Sequence, residues 1–290
     1  MPAVPTLRAR AALGGAAALL ALSGLAGAAA AADPATAPLP TDPDTVLIRI
    51  EDVGGFTIAG YDLVRVPAFV LYADGRLFQL GAQIAIYPAP LLPPLLVGTL
   101  TEEQIHEVLA AAAEAGLAGG TDTTYGPGLV ADAPDALFTV WGPDGVTRTQ
   151  FGAFGIEQEF PDPAEAQARA DAQAFLDSMV MLPVADAAPY VPTALRLLVI
   201  PYPDLGEEPG QEPVAWPGTT SLATGGTVLF PDYPESGSCV LITGDEAATV
   251  WPALADANEL TPFVSDGAEY RIVVRPLLPG EAVTCTPFAS

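Results

Sequence analysis

Three Asp-Gly dipeptides separate apolar segments of this chain, at Asp74-Gly75, Asp144-Gly145 and Asp266-Gly267. The dipeptide favours a tight β-hairpin because it tolerates the positive φ angles of a type I′ turn. The segments beside the turns are rich in β-branched and aromatic residues, which are typical of strands. The turns therefore predict antiparallel strand pairs, and the repeating βαβα units of a doubly wound fold are missing.

Helical segments lie between the predicted strands. Thr101 and Gln104 have the spacing of a capping box, Asp162 with Pro163 predicts a second helix start, and a third helix is predicted over 245–257. We predict an α+β fold, with antiparallel sheets and two to three helices packed on them. The predicted strands cover residues 46–50, 68–72, 76–80, 83–87, 137–141, 146–151, 195–200, 239–243 and 270–274.

Four regions are predicted along the chain. Residues 1–32 are a signal peptide, and the Pro- and Ala-rich stretch 33–44 is a disordered linker. Residues 45–184 form an α+β domain. Residues 193–290 form a smaller α+β lobe, which the proline-bounded stretch Pro183–Pro192 connects to the first.

The signal peptide is predicted from an abrupt change in charge. The first 32 residues contain no acid, Arg8 and Arg10 precede an uncharged run over Ala11–Ala32, and all 35 acidic residues follow. Small residues at the end of this run predict cleavage after Ala32, and hence a protein that is secreted or held in the cell envelope, with no membrane span in the mature chain. The alternative is a retained anchor, because 22 residues are long enough to cross a bilayer.

The charge of the remaining chain excludes one class of partner. Without residues 1–32 it has eight arginines, no lysine and 35 acidic residues, a formal charge of −27. Nucleic acids need clustered cations, so we expect no nucleic-acid function. The acidity itself is interpreted as a solubilising surface rather than a site.

The two cysteines, Cys239 and Cys285, are predicted to form a disulfide, because an even count in an exported chain favours pairing. The bond would attach the end of the chain to the predicted strand 239–243 and close the second lobe. The alternative is two buried free thiols.

Most catalytic chemistries lack their residues here, and no cofactor is predicted. His106 is the only histidine and the chain has no lysine, which excludes zinc sites with several histidines, Schiff bases and Walker-type phosphate loops. Hydrolysis by paired carboxylates and calcium binding stay open, since acids are plentiful. The candidate oxygen clusters for calcium are Asp132 with Asp135, and Asp256 with Asn258 and Glu259.

Aromatic residues beside prolines are candidates for contact with a protein or a glycan. The alternative is that they pack beneath long loops. We expect a non-enzymatic binding or structural protein of the cell exterior, and a secreted hydrolase is the competing hypothesis. The aromatic candidates are Tyr202, Trp216, Phe230 and Tyr233.

Three stretches resemble uncharacterised exported proteins of actinobacteria. They are Leu71–Arg76 (Leu-Tyr-Ala-Asp-Gly-Arg), the helix over Leu100–Leu117 that opens Leu-Thr-Glu-Glu-Gln-Ile, and Arg275–Glu281 (Arg-Pro-Leu-Leu-Pro-Gly-Glu). The resemblance implies export. It implies no catalytic residues.

Overall fold

The structure, a computed structural model, describes residues 37–127, 130–203, 211–233 and 236–285. Within these ranges the chain forms three α-helices and fourteen strands in two sheets, which confirms the α+β class. The described residues belong to one compact unit. The predicted signal peptide, with its cleavage site at Ala32, lies outside them.

The first sheet contains eight strands, mostly antiparallel. They are β1 (Val46–Val53), β2 (Phe69–Tyr72), β3 (Arg76–Leu80), β4 (Leu95–Thr99), β5 (Thr123–Tyr125), β6 (Asp135–Gly142), β7 (Gly145–Phe151) and β8 (Ala185–Pro189). Their spatial order is β5-β7-β6-β1-β2-β3-β4-β8. The hairpins β2–β3 and β6–β7 turn at the predicted Asp-Gly sites.

Two helices, α1 (Glu102–Glu114) and α2 (Pro163–Val180), cover one face of this sheet. The capping box of α1 is confirmed, because Thr101 Oγ1 accepts from the Gln104 amide and Gln104 Oε1 accepts from the Thr101 amide. Apolar residues at helical spacing on α1 and α2 then meet the alternate residues of the strands. The buried apolar residues of these two helices are Ile105, Val108, Leu109, Ala112, Ala172, Phe175 and Met179.

The second sheet contains six strands and is covered on one face by α3 (Gly244–Ala255). Its strands are β9 (Ala194–Pro201), β10 (Val214–Ala215), β11 (Thr227–Val228), β12 (Ser238–Thr243), β13 (Phe263–Ser265) and β14 (Ala268–Pro276). Their order is β10-β13-β14-β9-β12-β11. The third Asp-Gly turn joins β13 to β14, as predicted.

The opposite face of the first sheet is covered over only part of its width. Val70, Tyr72 and Phe78, on β2 and β3, pack against Leu278 from the end of the chain. We call residues 277–285 the C-terminal segment. The face of β1, β6 and β7 carries polar side chains instead, and these form the floor of a cleft.

Parts of the chain differ from the sequence prediction. Residues 83–87 form a loop rather than a strand. The predicted linker 33–44 is described from residue 37 onward. There Ala37 is buried, Leu39 packs against the core and Asp44 accepts a hydrogen bond from Arg76. These residues of the predicted linker therefore contact the folded part of the chain. Strand β8 pairs with β4 inside the predicted connection Pro183–Pro192.

Candidate functional site

The cleft on the first sheet, which we call the polar cleft, has a volume of about 590 Å³. Its floor follows from the two-residue periodicity of strands: Ile48 and Ile50 of β1 enter the core, so Arg49 and Glu51 face the other way. The register aligns residues of three neighbouring strands in two rows, and of these six residues only Leu137 is apolar. One row contains Arg49, Thr139 and Arg148, and the next contains Glu51, Leu137 and Gln150.

Charges of both signs line the polar cleft in equal number. Four of the eight arginines that follow residue 32 lie here, although the chain is strongly acidic. The four arginines are Arg49, Arg65, Arg148 and Arg275, and the four carboxylates are Glu51, Asp52, Asp62 and Asp122. The cleft therefore has no net formal charge.

The inner arginines are fixed by one carboxylate. Glu281 Oε1 accepts from Arg49 at 2.9 Å and from Arg275 at 2.6 Å, and its Oε2 accepts from the Leu278 amide at 3.0 Å. Arg49 also pairs with Glu51 at 2.8 Å. Burial alone would lower the pKa of Arg49, but the hydrogen bonds and charges of Glu51 and Glu281 raise it above its usual value.

The pKa of Arg275 moves the other way. Burial lowers it, and the positive charge of Arg49 adds to this, although Glu281 opposes both. Because arginine stays charged at neutral pH, Glu281 neutralises part of a buried cationic group.

Arg196 binds the C-terminal segment. It lies directly across from Arg275 in the pairing of β9 with β14, and like charges in that position repel. Burial and this repulsion lower the pKa of Arg196. Its guanidinium donates to the carbonyls of Thr284 at 2.8 Å, Ala282 at 3.0 Å and Leu63 at 3.0 Å.

The C-terminal segment is held by further contacts. The Tyr72 hydroxyl donates to the Pro279 carbonyl at 2.8 Å, and the Tyr190 hydroxyl donates to the Leu277 carbonyl at 2.9 Å. The predicted disulfide between Cys239 and Cys285 is confirmed, with 5.7 Å between the Cα atoms. The segment thus supports Arg49 and Arg275 from behind the cleft.

Arg148 is the accessible cation of the polar cleft. Its side chain is 56% exposed, and its Nη1 lies 3.8 Å from Asp122 Oδ2, which is a long ion pair. Asp122 instead accepts from the Arg148 backbone amide at 2.8 Å. Gln150 Nε2 donates to Asp135 Oδ2 at 2.7 Å, which holds the amide in place beside the floor. The outer floor therefore offers donors and acceptors on a fixed support.

A second cavity, the loop cleft, adjoins the polar cleft. It has a volume of about 570 Å³ and lies between loops of the first sheet and strand β14 of the second. Asp52 and Arg65 belong to the walls of both clefts. Tyr61 lines the loop cleft beneath the Arg65 guanidinium, whose central carbon is 5.5 Å from the ring centre, and Ile84 on the wall of this cleft is 61% exposed.

The Asp52 carboxyl has an altered acidity. Partial burial raises its pKa, the charge of Glu51 adds to this, and Arg65 counteracts both. Arg65 itself donates to the Gly54 carbonyl at 2.8 Å and lies 3.2 Å from Asp62 Oδ1. Its Nε is buried and has no hydrogen-bond partner within the described part of the chain.

The oxygen clusters considered for calcium are occupied by protein donors. Asp135 accepts from Gln150, the Asn258 side-chain oxygen accepts from the Leu260 amide, and Glu259 accepts from the Ala89 amide at 3.0 Å. Across the described ranges, no group of three or more His, Cys, Asp or Glu side chains is placed to hold a metal ion. Asp132 and Asp256 therefore join no such group.

The aromatic candidates divide into two pairs. Trp216 donates to the Thr220 carbonyl and packs edge-on against Phe263, and Tyr202 donates to the Leu260 carbonyl. Phe230 and Tyr233 are exposed. His106 is half-buried on α1, with its Nε2 4.0 Å from Glu102. None of these aromatic or histidine side chains lines either cleft.

Sequence reasoning missed the polar cleft. The signal was present, because Arg49 and Glu51 alternate with buried isoleucines and Arg148 and Gln150 alternate with buried threonines. A polar outer face is common in antiparallel sheets, so alternation does not distinguish a binding surface from an ordinary one. The pairing of β1, β6 and β7 brings these residues together.

Comparison of the chain with protein families, with curated proteins and with solved structures finds no match in any of the three. Among the described residues, no helix combines the length and the apolar character that a bilayer crossing requires.

Proposed function

We propose that this chain is an exported, non-enzymatic binding protein of the cell exterior or envelope, and that its ligand, a protein or a glycan, binds in the polar cleft. The observation that carries the proposal is the floor formed by β1, β6 and β7, where five polar side chains and Leu137 lie in two rows and face an open cavity. Its volume lies within the range of small-ligand sites, roughly 300–1,000 Å³. A solvated sheet face needs no such cavity.

The way the arginines of the site are held supports the proposal. The inner cations Arg49 and Arg275 are held by Glu281, while Arg148 remains accessible at the outer end. Rigid support lowers the entropy that a site loses when it binds a ligand.

Export is supported by the acid-free residues 1–32 and by the disulfide, since such bonds persist in oxidising compartments.

Capture from envelope fractions tests this function. The protein, expressed from its full chain and recovered after export, is immobilised and incubated with envelope extracts. We expect Arg148→Ala to lose at least half of the captured material. Arg271→Ala is the matched control, because Arg271 also makes a long surface ion pair, 3.9 Å to Glu259, and lies outside the polar cleft. Equal capture by both variants, or none by the parent protein, contradicts the proposal.

One observation favours the hydrolase as a second candidate. The pKa of Asp52 is raised by burial, and this carboxyl lies where the two clefts meet, beside other carboxylates of the polar cleft. A general acid needs such a raised pKa. If the protein is a hydrolase, Asp52→Asn abolishes the release of reducing ends from envelope polysaccharide, and Asp171→Asn on α2 does not. No release by the parent protein rejects this candidate.

A further inference from the structure

We propose that the polar cleft binds an uncharged polysaccharide. This inference rests on the proposed binding function and names the chemical class of its ligand. Four features of the molecule support it: the hydrogen-bonding groups on the floor, the balance of charge in the cleft, the charge of the whole molecule, and the size and openness of the floor.

The floor presents donors beside acceptors. Arg148 supplies guanidinium donors, Asp122 supplies carboxylate acceptors, and the Thr139 hydroxyl between Arg49 and Arg148 supplies both. A sugar hydroxyl donates one hydrogen bond and accepts others, so it matches a surface of this mixed kind. A phosphate or carboxylate only accepts, and it would leave the acidic groups of the cleft facing a like charge.

The charge balance disfavours an ionic ligand of either sign. Four arginines and four carboxylates line the cleft, so a ligand with many charges of one sign meets repulsion from half of them. The chain after residue 32 has a formal charge of −27, which also repels anionic chains at a distance. A neutral chain of sugars meets neither penalty.

The size and openness of the floor favour a polymer over a small enclosed molecule. The row from Arg49 through Thr139 to Arg148 spans three strands, which is about 10 Å across the sheet. Arg148 at one end of the row is 56% exposed, so the row continues to the molecular surface. A chain can lie along it and extend beyond.

Native gel electrophoresis with polysaccharide cast into the gel tests the inference. The probes are dextran, mannan and soluble xylan as neutral chains and alginate as an anionic chain. We expect retardation by at least one neutral polysaccharide and none by alginate. Affinity should stay within twofold between 50 and 500 mM NaCl, because salt screens only interactions between charges.

Two variants connect binding to the cleft. We expect Arg148→Ala and Gln150→Ala each to weaken retardation roughly tenfold, since each removes a hydrogen-bonding side chain from the floor. Arg271→Ala should bind like the parent protein. Thermal unfolding of all three variants shows whether each is folded. If Gln150→Ala does not fold, the retardation of Thr139→Ala is measured instead, because this change removes only a hydroxyl from the floor.

The outcomes separate this inference from the proposed function. Retardation only by alginate, with loss at high salt, overturns the inference. Capture of envelope protein that depends on Arg148, without retardation by any neutral polysaccharide, also overturns it while the binding function stands. If Arg148→Ala changes neither capture nor retardation, both fail.

Discussion

At the scale of single residues, Glu281 holds the two inner arginines of the cleft in place. Its carboxylate is buried and serves Arg49, Arg275 and a backbone amide at once. A buried ion pair adds little net stability when compared with apolar side chains, but removal of one partner leaves the other charge without compensation. Loss of the Glu281 charge would leave the buried Arg275 without this carboxylate, while Arg49 would keep only its pair with Glu51.

We therefore expect Glu281→Gln to lower the free energy of unfolding by about 3 kcal/mol. Urea unfolding followed by circular dichroism measures the change. Glu259→Gln is the matched control, because Glu259 lies 3.9 Å from Arg271 near the surface, and we expect a loss below about 1 kcal/mol there. Equal losses in the two variants would show that Glu281 contributes no more to stability than a carboxylate in a surface ion pair.

At the scale of helices and strands, the sequence predicted elements whose ends carry a local signal. The capping box at Thr101, the Asp162 cap and the three Asp-Gly turns all lie where the structure has the corresponding ends. Strands β4, β5, β8, β10 and β11 were missed, because their pairing partners lie elsewhere in the chain and their own residues carry little local signal. The polar cleft was missed for a related reason, since Arg49 meets Thr139 and Arg148 of the predicted hairpin only through the long-range pairing of β1 with β6.

The start of α3 contains a carboxylate that makes stability depend on pH. Glu246, in the first turn of α3, accepts from the Thr220 amide at 2.6 Å and from its hydroxyl at 2.9 Å. Partial burial would raise the pKa of Glu246, but hydrogen bonds from Thr220 and Thr219 lower it below its usual 4.5. The folded state therefore binds this proton less well than the unfolded state, and Glu246 adds stability above pH 4.5 that is lost as the pH falls through the lower, folded-state pKa.

We expect Glu246→Gln to be less stable than the parent protein at pH 7, and the difference to shrink steadily below pH 4.5. Urea unfolding at pH 7, 5, 4 and 3 measures it. Asp245→Asn, one residue earlier in the same turn, controls for the general effect of an acid near a helix start. A difference between parent and Glu246→Gln that does not change with pH would contradict the assignment.

At the scale of the whole molecule, the C-terminal segment joins the two sheets. Its carbonyls accept from Tyr72 of the first sheet, from Tyr190 directly after β8, and from Arg196 of the second sheet. Its Glu281 binds one arginine of each sheet. The disulfide fixes the end of this segment to β12. The cleft on the first sheet thus depends on residues of the C-terminal segment, and a truncation before residue 277 would remove the carboxylate that Arg49 and Arg275 share.

This dependence predicts how the disulfide contributes to stability. The bond closes a loop over a sequence separation of 46 residues, and the chain-entropy estimate for such a loop is about 4 kcal/mol. We expect the double variant Cys239→Ser with Cys285→Ser to lose stability of this order and to bind ligand more weakly, because a released segment no longer holds Glu281 against Arg49 and Arg275. Thermal unfolding with and without dithiothreitol measures the first effect. Reductant should lower the melting temperature of the parent protein and leave that of the double variant unchanged. If the double variant melts with the parent, the hydrogen bonds of Arg196, Tyr72 and Tyr190 are sufficient to hold the segment without the covalent bond.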